Sequence, residues 1–269
     1  MKYIQHVLLY LLLAVLTVIF IAPLLYALYN SLLPLQYVDK WVSFDKFTFG
    51  NYITLFTRYN VSRWLINTIW MTVIIVIGNL VLDTMAGYAL ARFRFPGRSA
   101  IFIIVIATMM VPYQLIITPL YITIVNLGWN NHMASVTVPY LYQCVYIFFL
   151  RQFFLTIPKE LEDAARIDGL TRAKTFLHII VPISKSAFVP VIILEFTGTW
   201  NSFFVPSTFI NDEKLFPLVV GLNTVKARFF DRPNLSLAGV ILLTIPVLII
   251  YMFFQKWFVQ GIASTGIKG

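Results

Sequence analysis

Cysteine occurs once in these 269 residues, at Cys144 within an apolar run. That excludes a disulfide framework and a cysteine-rich metal site, and leaves the thiol to be read as a small buried hydrophobe. Histidine occurs only at His6, His132 and His178, scattered along the chain without the paired spacing that holds zinc. There is no G-x-S-x-G elbow and no paired aspartate signature, so an intramembrane enzyme would lack its machinery. Charge is the largest shortfall, at 12% of residues against about 25% in a typical soluble domain. What fills the gap is apolar: 59% of residues are hydrophobic and the mean hydropathy is +0.83. Such a chain belongs in a bilayer.

Six runs are long enough to cross one: 7–29, 65–90, 101–125, 134–154, 188–210 and 237–258. At ~1.5 Å per residue each spans the ~30 Å hydrocarbon layer. Each must be helical, because lipid offers nothing to an open backbone. The fold class is therefore all-α: a polytopic membrane protein with about six transmembrane helices. The first run follows Lys2 and His6 but is too long for an ordinary signal-peptide core and has no convincing cleavage site, so it is read as a retained span. The net charge of +9 invites nucleic acid. However, the basic residues flank the spans, as topological bias requires, and no nucleic-acid partner is expected. The short loop "ARFRFPGRS" carries Arg92, Arg94 and Arg98 and no acid, whereas the short loop "NLGWNNHM" carries no charge except a histidine. With the first loop inside, both termini are cytoplasmic. Several spans hold prolines: Pro112 and Pro119 in the third, Pro190 and Pro206 in the fifth, Pro246 in the sixth. Each removes a backbone bond that neighbours or cavity water must replace, in a transport pathway or in a structural bundle alike.

One stretch departs from all this: "ELEDAARIDGLTRAKTFLHIIVP", between the fourth and fifth runs and on the cytoplasmic side. Pro158 suits a first helical turn, and Glu160, Glu162 and Asp163 place negative charge at the positive end of the helix dipole. Leu161, Ala164, Ala165 and Asp168 follow helical spacing and make a narrow face of small side chains. Gly169 stops that helix in a left-handed conformation, and Thr171 caps a second one with Phe176, Leu177 and Ile180 on its apolar side, ending at Pro182. Such a face suits docking into a groove on another protein, but a solvated amphipathic linker has the same pattern. The stretch also holds Gly169-x-x-x-x-Lys174-Thr175. It lacks the glycine before the lysine and the preceding strand of a phosphate-binding loop, so ATP is not expected on this chain.

Taken together, these residues resemble the cytoplasmic EAA loop of ABC importer permeases, whose form is EAA, three residues, G, nine residues, I-x-L-P. Here Asp163-Ala164-Ala165 is followed by Gly169 and then by Ile179-Ile180-Val181-Pro182, with Asp163 in place of glutamate and Val181 in place of leucine. "GYALARFRFPGR", "TGTWNSFFVPSTFIND", "KLFPLVVGL" and "FVQGIASTGIKG" extend the similarity over most of 65–269, toward the carbohydrate importer (MalG-like) branch of binding-protein-dependent permeases. The resemblance implies a type I ABC importer permease fold. It divides the chain into 1–64, a first transmembrane helix and extracytoplasmic loop, and 65–269, a permease core with its coupling loop at 156–183. It further implies a second homologous permease making a heterodimer, two cytoplasmic ATPase subunits carrying ATP and Mg, an extracytoplasmic solute-binding protein, a carbohydrate substrate and a bacterial plasma membrane. In such a complex Asp163, Ala164, Ala165 and Gly169 would form the docking turn, and Ile179 and Pro182 would hold it against the spans.

Within the spans, Asp83 and Glu195 carry charge at a cost of about 2.5–3.5 kcal/mol each on insertion scales. Thr72, Asn79, Asp83 and Gly87 fall near one face of the second run, and Glu195, Thr199 and Ser202 along one face of the fifth. Either face could line a hydrated pathway or fix helix packing, and Asp83 could reach cytoplasmic water or Arg92. Tyr140, Tyr142, Gln143 and Tyr146 would suit the apolar faces and hydroxyls of sugars, although tyrosines also populate membrane interfaces. The candidate pathway set is Asn79, Gln114, Tyr142, Tyr146, Glu195, Thr199 and Asn201. The competing function is a proton-coupled secondary carrier using Asp83 and Glu195.

Overall fold

The computed structural model describes the backbone of residues 2–228 and 232–266 and the side chains of 3–225 and 232–256. It is 81% helical, with no strand among the described residues. The order is α1 (Lys2–Ser31), α2 (Gly50–Arg58), α3 (Val61–Arg92), α4 (Arg98–Met109), α5 (Tyr113–Asn126), α6 (Met133–Thr137), α7 (Cys144–Thr156), α8 (Glu160–Ile167), α9 (Arg172–Thr175), α10 (Val181–Ile183), α11 (Lys185–Trp200), α12 (Phe204–Phe209), α13 (Leu218–Arg228) and α14 (Pro233–Gly266). Helices α3, α7, α11 and α14 pack into a bundle, and α1 lies along the outside of α14.

The spans number six when each bent helix pair is taken as one, and several are interrupted, as their prolines suggested. Four helical segments are long and apolar enough to cross: Tyr3–Ser31, Val61–Arg92, Met133–Thr156 and Pro233–Lys256. The third run instead breaks into α4 and α5 at an angle of 102°. Pro112 is the reason: it has no N–H to donate and it disfavours helix at the residue before it. The fourth run is interrupted by the 3₁₀ turn Val138–Tyr140 and an extended Gln143. The fifth run is also not one helix. Its helical part, α11, ends at Trp200 and meets the preceding short helices at 74°, while α12 follows separately. A boundary at residue 64 would fall within the first turn of α3, where Trp64 is fully buried.

Helix α3 is built inside out. Its buried positions include Thr68, Thr72, Asn79, Asp83 and Tyr88, while Ile66, Trp70, Ile77, Val81 and Met85 are exposed toward the hydrocarbon. That is the reverse of a soluble amphipathic helix, and it follows from a solvent as apolar as the core. The polar face expected of Thr72, Asn79, Asp83 and Gly87 is present. At its N-terminal end α3 is stitched to the segment entering α13. Trp64 Nε1 donates to Glu213 O at 2.9 Å, Asn67 Nδ2 to Lys214 O and Phe216 O, and Thr68 Oγ1 accepts from Leu218 N at 2.7 Å. A second junction joins three elements: Asn51 Nδ2 donates to Ser31 O and Leu33 O, and Asn51 Oδ1 accepts from Asn234 Nδ2 at 2.8 Å.

Gly221 of α13 lies so close to Trp64 that a Cβ there would sit 2.2 Å from the indole ring. A side chain at 221 must displace a fully buried tryptophan, and overpacking of this kind costs about 1–3 kcal/mol. Gly221→Val is therefore expected to lower the unfolding temperature of the detergent-purified protein by several degrees, whereas Gly198→Ala, with open space around it, leaves it unchanged.

Candidate functional site

Two regions gather polar groups. The first is the hairpin of α8 and α9. Helix α8 ends as expected at Gly169, whose φ of 82° is left-handed. Gly169 N donates to Arg166 O at 3.0 Å and Leu170 N to Ala165 O at 2.9 Å, satisfying the last carbonyls of the helix. Thr171 Oγ1 caps α9 by accepting from Lys174 N. The small face divides: Ala165 is buried, while Asp163, Ala164 and Gly169 are exposed. Ile167, at the tip, is 87% exposed, an apolar side chain that the sequence reading passed over.

The return arm differs from expectation. Pro182 does not end the second helix. A π-helical turn, Phe176–Ile180, runs into α10, with Pro182 inside α10 and exposed, and the chain bends at Ser184. The wider turn absorbs the N–H that proline lacks. Ile179 is only half-buried. The fully buried residue is its neighbour Ile180, which packs with Phe176 into a cluster containing Tyr88, Leu150, Phe154 and Ile157. Ile180 and Phe176 hold the arm to the bundle, in place of Ile179 and Pro182.

Beneath α8 lies a group the sequence reading did not connect. Arg92 Nε and Glu162 Oε1 form an ion pair at 2.8 Å, with side chains only 4% and 10% exposed. Tyr88 OH donates to Glu162 Oε2 at 3.1 Å, and Arg92 Nη2 donates to Ile157 O. Glu162 is thus more than a helix-dipole charge, and Arg92 pairs with it rather than with Asp83. The available signal was the i, i+4 spacing of Tyr88 and Arg92, which puts both on one face of α3. The group borders a pocket of about 300 Å³ lined also by Arg94, Lys159, Arg166 and Arg172.

The second region is a cavity of about 200 Å³ between α3, the broken fourth run and α11. It is lined by Met71, Ile75, Tyr140, Gln143, Glu195, Thr199 and Ser202, among others. Glu195 Oε1 accepts from Thr199 Oγ1 at 2.8 Å, and Tyr146 is within hydrogen-bonding reach of the same carboxylate. Glu195, Thr199 and Tyr146 therefore come together, with Glu195 and Thr199 lining the cavity and Tyr146 outside its lining. The other pathway candidates lie elsewhere. Asn79 is fully buried, donating to Ile75 O and Tyr140 O at 2.8 Å. Asn201 is exposed and closes its own helix by donating to Thr197 O. Gln114 and Tyr142 are exposed and line neither region. Asp83 is fully buried, and both its oxygens accept from Gln143 N at 3.2 Å, so it caps the start of α7. Trp200 anchors α11, stacking on Phe196 and donating to Leu243 O.

Comparison with known proteins places these features. Residues 83–264 match the family described as binding-protein-dependent transport system inner membrane component. The chain is 32% identical over 265 residues to the arabinooligosaccharides transport system permease protein AraQ of Bacillus subtilis, covering 94% of this chain and 92% of that one. It is 32% identical over 209 residues to the sn-glycerol-3-phosphate transport system permease protein UgpE of Rhizobium meliloti, covering 77% and 74%. Its fold matches a chain in the crystal structure of a bacterial ABC transporter involved in the import of the acidic polysaccharide alginate, with a TM-score of 0.84 over 96% of this chain and 97% of that one at 22% identity. A bent multi-helix bundle with a capped polar hairpin, matched over most of its length, makes this chain a member of the family of binding-protein-dependent transport system inner membrane components.

Proposed function

We propose that the chain is one of two permease subunits of an ATP-driven importer of carbohydrates in a bacterial plasma membrane. In this reading the α8–α9 hairpin docks on a separate cytoplasmic ATPase. The observation that carries it is the two-sidedness of α8. Its inner side is buried against α3, while Ala164, Ile167 and Gly169 stand exposed on the other. An exposed isoleucine beside small residues is a knob without a hole in this chain, and a cleft on another protein would supply one. Asp163, exposed and only loosely paired with Arg166 at 3.5 Å, adds a charge for orientation. Two ATPase subunits would hold ATP and Mg, a homologous permease would complete the pathway, and an extracytoplasmic binding protein would deliver the solute. Sugar as the cargo class rests on the named relatives and on the cavity at Glu195, whose hydroxyl, amide and carboxylate groups match sugar hydroxyls.

Orientation and domain division are part of the same proposal. Arg92 touches the segment entering the hairpin, Arg151 Nε donates to Leu90 O, and the Arg172 guanidinium lies 5.6 Å from the Phe93 ring centre. The basic segments assigned to the cytoplasm thus meet at one end of the bundle, which supports cytoplasmic termini. Residues 1–64 would be peripheral, and 65–269 would form the core with its coupling loop at 156–183. A proton-coupled carrier based on Asp83 and Glu195 gains nothing from the geometry, since Asp83 is engaged as a helix cap.

Uptake in proteoliposomes holding the whole complex, with arabinotriose and glycerol 3-phosphate as probes, tests the cargo class. Import of arabinotriose that needs both internal ATP and the binding protein is expected, and uptake surviving ATP depletion would sink the proposal. Ile167→Glu and Ala164→Leu are expected to lower uptake at least tenfold with the amount of permease in the membrane unchanged, as loss of an interface hot spot does. Co-purification of the ATPase should fall in parallel. Glu195→Gln is expected to change the initial uptake rate at least threefold while leaving ATPase co-purification intact. An unchanged rate would assign Glu195 to packing.

A further inference from the structure

The hairpin is joined to the two walls of the Glu195 cavity in different ways. Glu195 and Thr199 belong to α11, which continues covalently from the hairpin through the 74° bend at Ser184. Met71 and Ile75 belong to α3. Between α8 and α3 the polar link is the group beneath α8: Tyr88 and Arg92 on the last turns of α3, gripping Glu162 and the Ile157 carbonyl. From Arg92 to Ile75 is 17 residues of unbroken helix, or about 25 Å at 1.5 Å per residue. The geometry points to Arg92 and Glu162 as positioning residues that transmit movement of the coupling hairpin to α3, so that both cavity walls move together when the ATPase acts.

Three features separate this pair from an ordinary surface bridge. It is almost wholly removed from water. Its third member is fixed by rings, with Tyr88 set edge-on to Phe93 and Phe154 at 5.6 Å and tilted on Phe176 at 4.7 Å. It is also forked, since one guanidinium reaches both the acid of α8 and the carbonyl just before that helix. The other ion pair of the hairpin, Asp163–Arg166, lies on its surface and joins α8 only to itself. A desolvated ion pair between two helices resists their separation, because stretching it leaves two charges uncompensated in a low-dielectric setting. Moving the hairpin therefore moves the inner end of α3, which is the kind of rigid-body transfer a coupled transporter requires. With the link cut, the stroke would still reach α11 through the chain, and α3 would follow only through the apolar cluster of Tyr88, Phe154, Phe176 and Ile180, a looser coupling without the polar grip.

This inference rests on the docking reading above, and its test separates the two. In proteoliposomes containing the complete complex with ATP and radiolabelled arabinotriose, or whichever probe the uptake experiment shows to be imported, the number of ATP molecules hydrolysed per sugar moved is measured. Amounts of assembled complex are matched. Arg92→Gln and Glu162→Gln are each expected to raise that ratio at least fivefold. The double variant should be no worse than the worse single, as one shared interaction demands. A wild-type ratio in both singles, or additive effects in the double, would overturn the inference. Should the singles fail to assemble, Tyr88→Phe, which removes one hydrogen bond and spares the ion pair, decides the matter: a rise of about twofold supports the link, and an unchanged ratio overturns it. Ile167→Glu runs alongside. If it couples normally, the docking reading fails; if it alone disrupts transport, only the Arg92–Glu162 link fails.

Discussion

A break in a membrane helix leaves backbone N–H and C=O groups that lipid cannot satisfy, and this bundle meets that demand chiefly with the side chains of α3. Thr68 accepts from Leu218 N at the start of α13, Asn79 donates to the Tyr140 carbonyl at the 3₁₀ turn, and Asp83 accepts from Gln143 N at the start of α7. At the C-terminal end of α3 Arg92 donates to the Ile157 carbonyl before α8. Each contact falls where another element starts, stops or bends. The buried polar groups of α3 therefore complete the backbone at the broken fourth run, at the start of α13 and at the entry to the hairpin. Irregular backbone inside a membrane is tolerated only where protein or cavity water completes it.

Much of this was legible in the sequence, and the limits have physical causes. Composition and run length were sufficient for a polytopic helical bundle, because lipid admits few alternatives. The hairpin was readable residue by residue, since helix starts and stops have local chemistry: the glycine at 169 and the threonine at 171 do what their types suggest. Interruptions of spans three and five were signalled by their prolines, whereas their angles, and the break in span four, were not. A proline in an apolar run signals lost hydrogen bonds, but whether the helix kinks or breaks depends on what lies across from it, here Tyr140, whose hydroxyl meets that of Tyr113 beside the break. The polar face of α3 was recognised, whereas its assignment between pathway and packing was not. Asn79 and Asp83 look alike with Glu195 on paper. In space the first two serve backbone groups, and only the third borders the cavity.

The two neighbouring acids of α8 illustrate the same limit. Glu162 and Asp163 are adjacent and would both favour the start of a helix. A helix turns 100° per residue, so one points inward to Arg92 and the other outward to Arg166 and solvent. Sequence-local reasoning gave them one role. Their roles diverge because α3 ends beneath α8, a long-range fact. Basic residues used first as topological markers thereby also serve as packing: Arg92 at the end of α3, Arg151 of α7 and Arg172 of α9 each engage a carbonyl or a ring at this end of the bundle.

The size of the cavity carries the last step. A volume of about 200 Å³ falls below the 300–1,000 Å³ usual for sites that enclose a drug-sized ligand. In the proposed reading Glu195, Tyr140 and Gln143 form one wall of a sugar site, and a cavity of this size does not by itself enclose an oligosaccharide. The remaining walls must come from movement of α3 against α11 or from a second subunit. Both routes require the helices to shift as bodies without opening their internal hydrogen bonds. That requirement favours rigid caps within the bundle and a firmly gripped hairpin at its edge. The polar groups of this otherwise apolar chain are placed accordingly, at the joints between helices rather than along their lipid-facing sides.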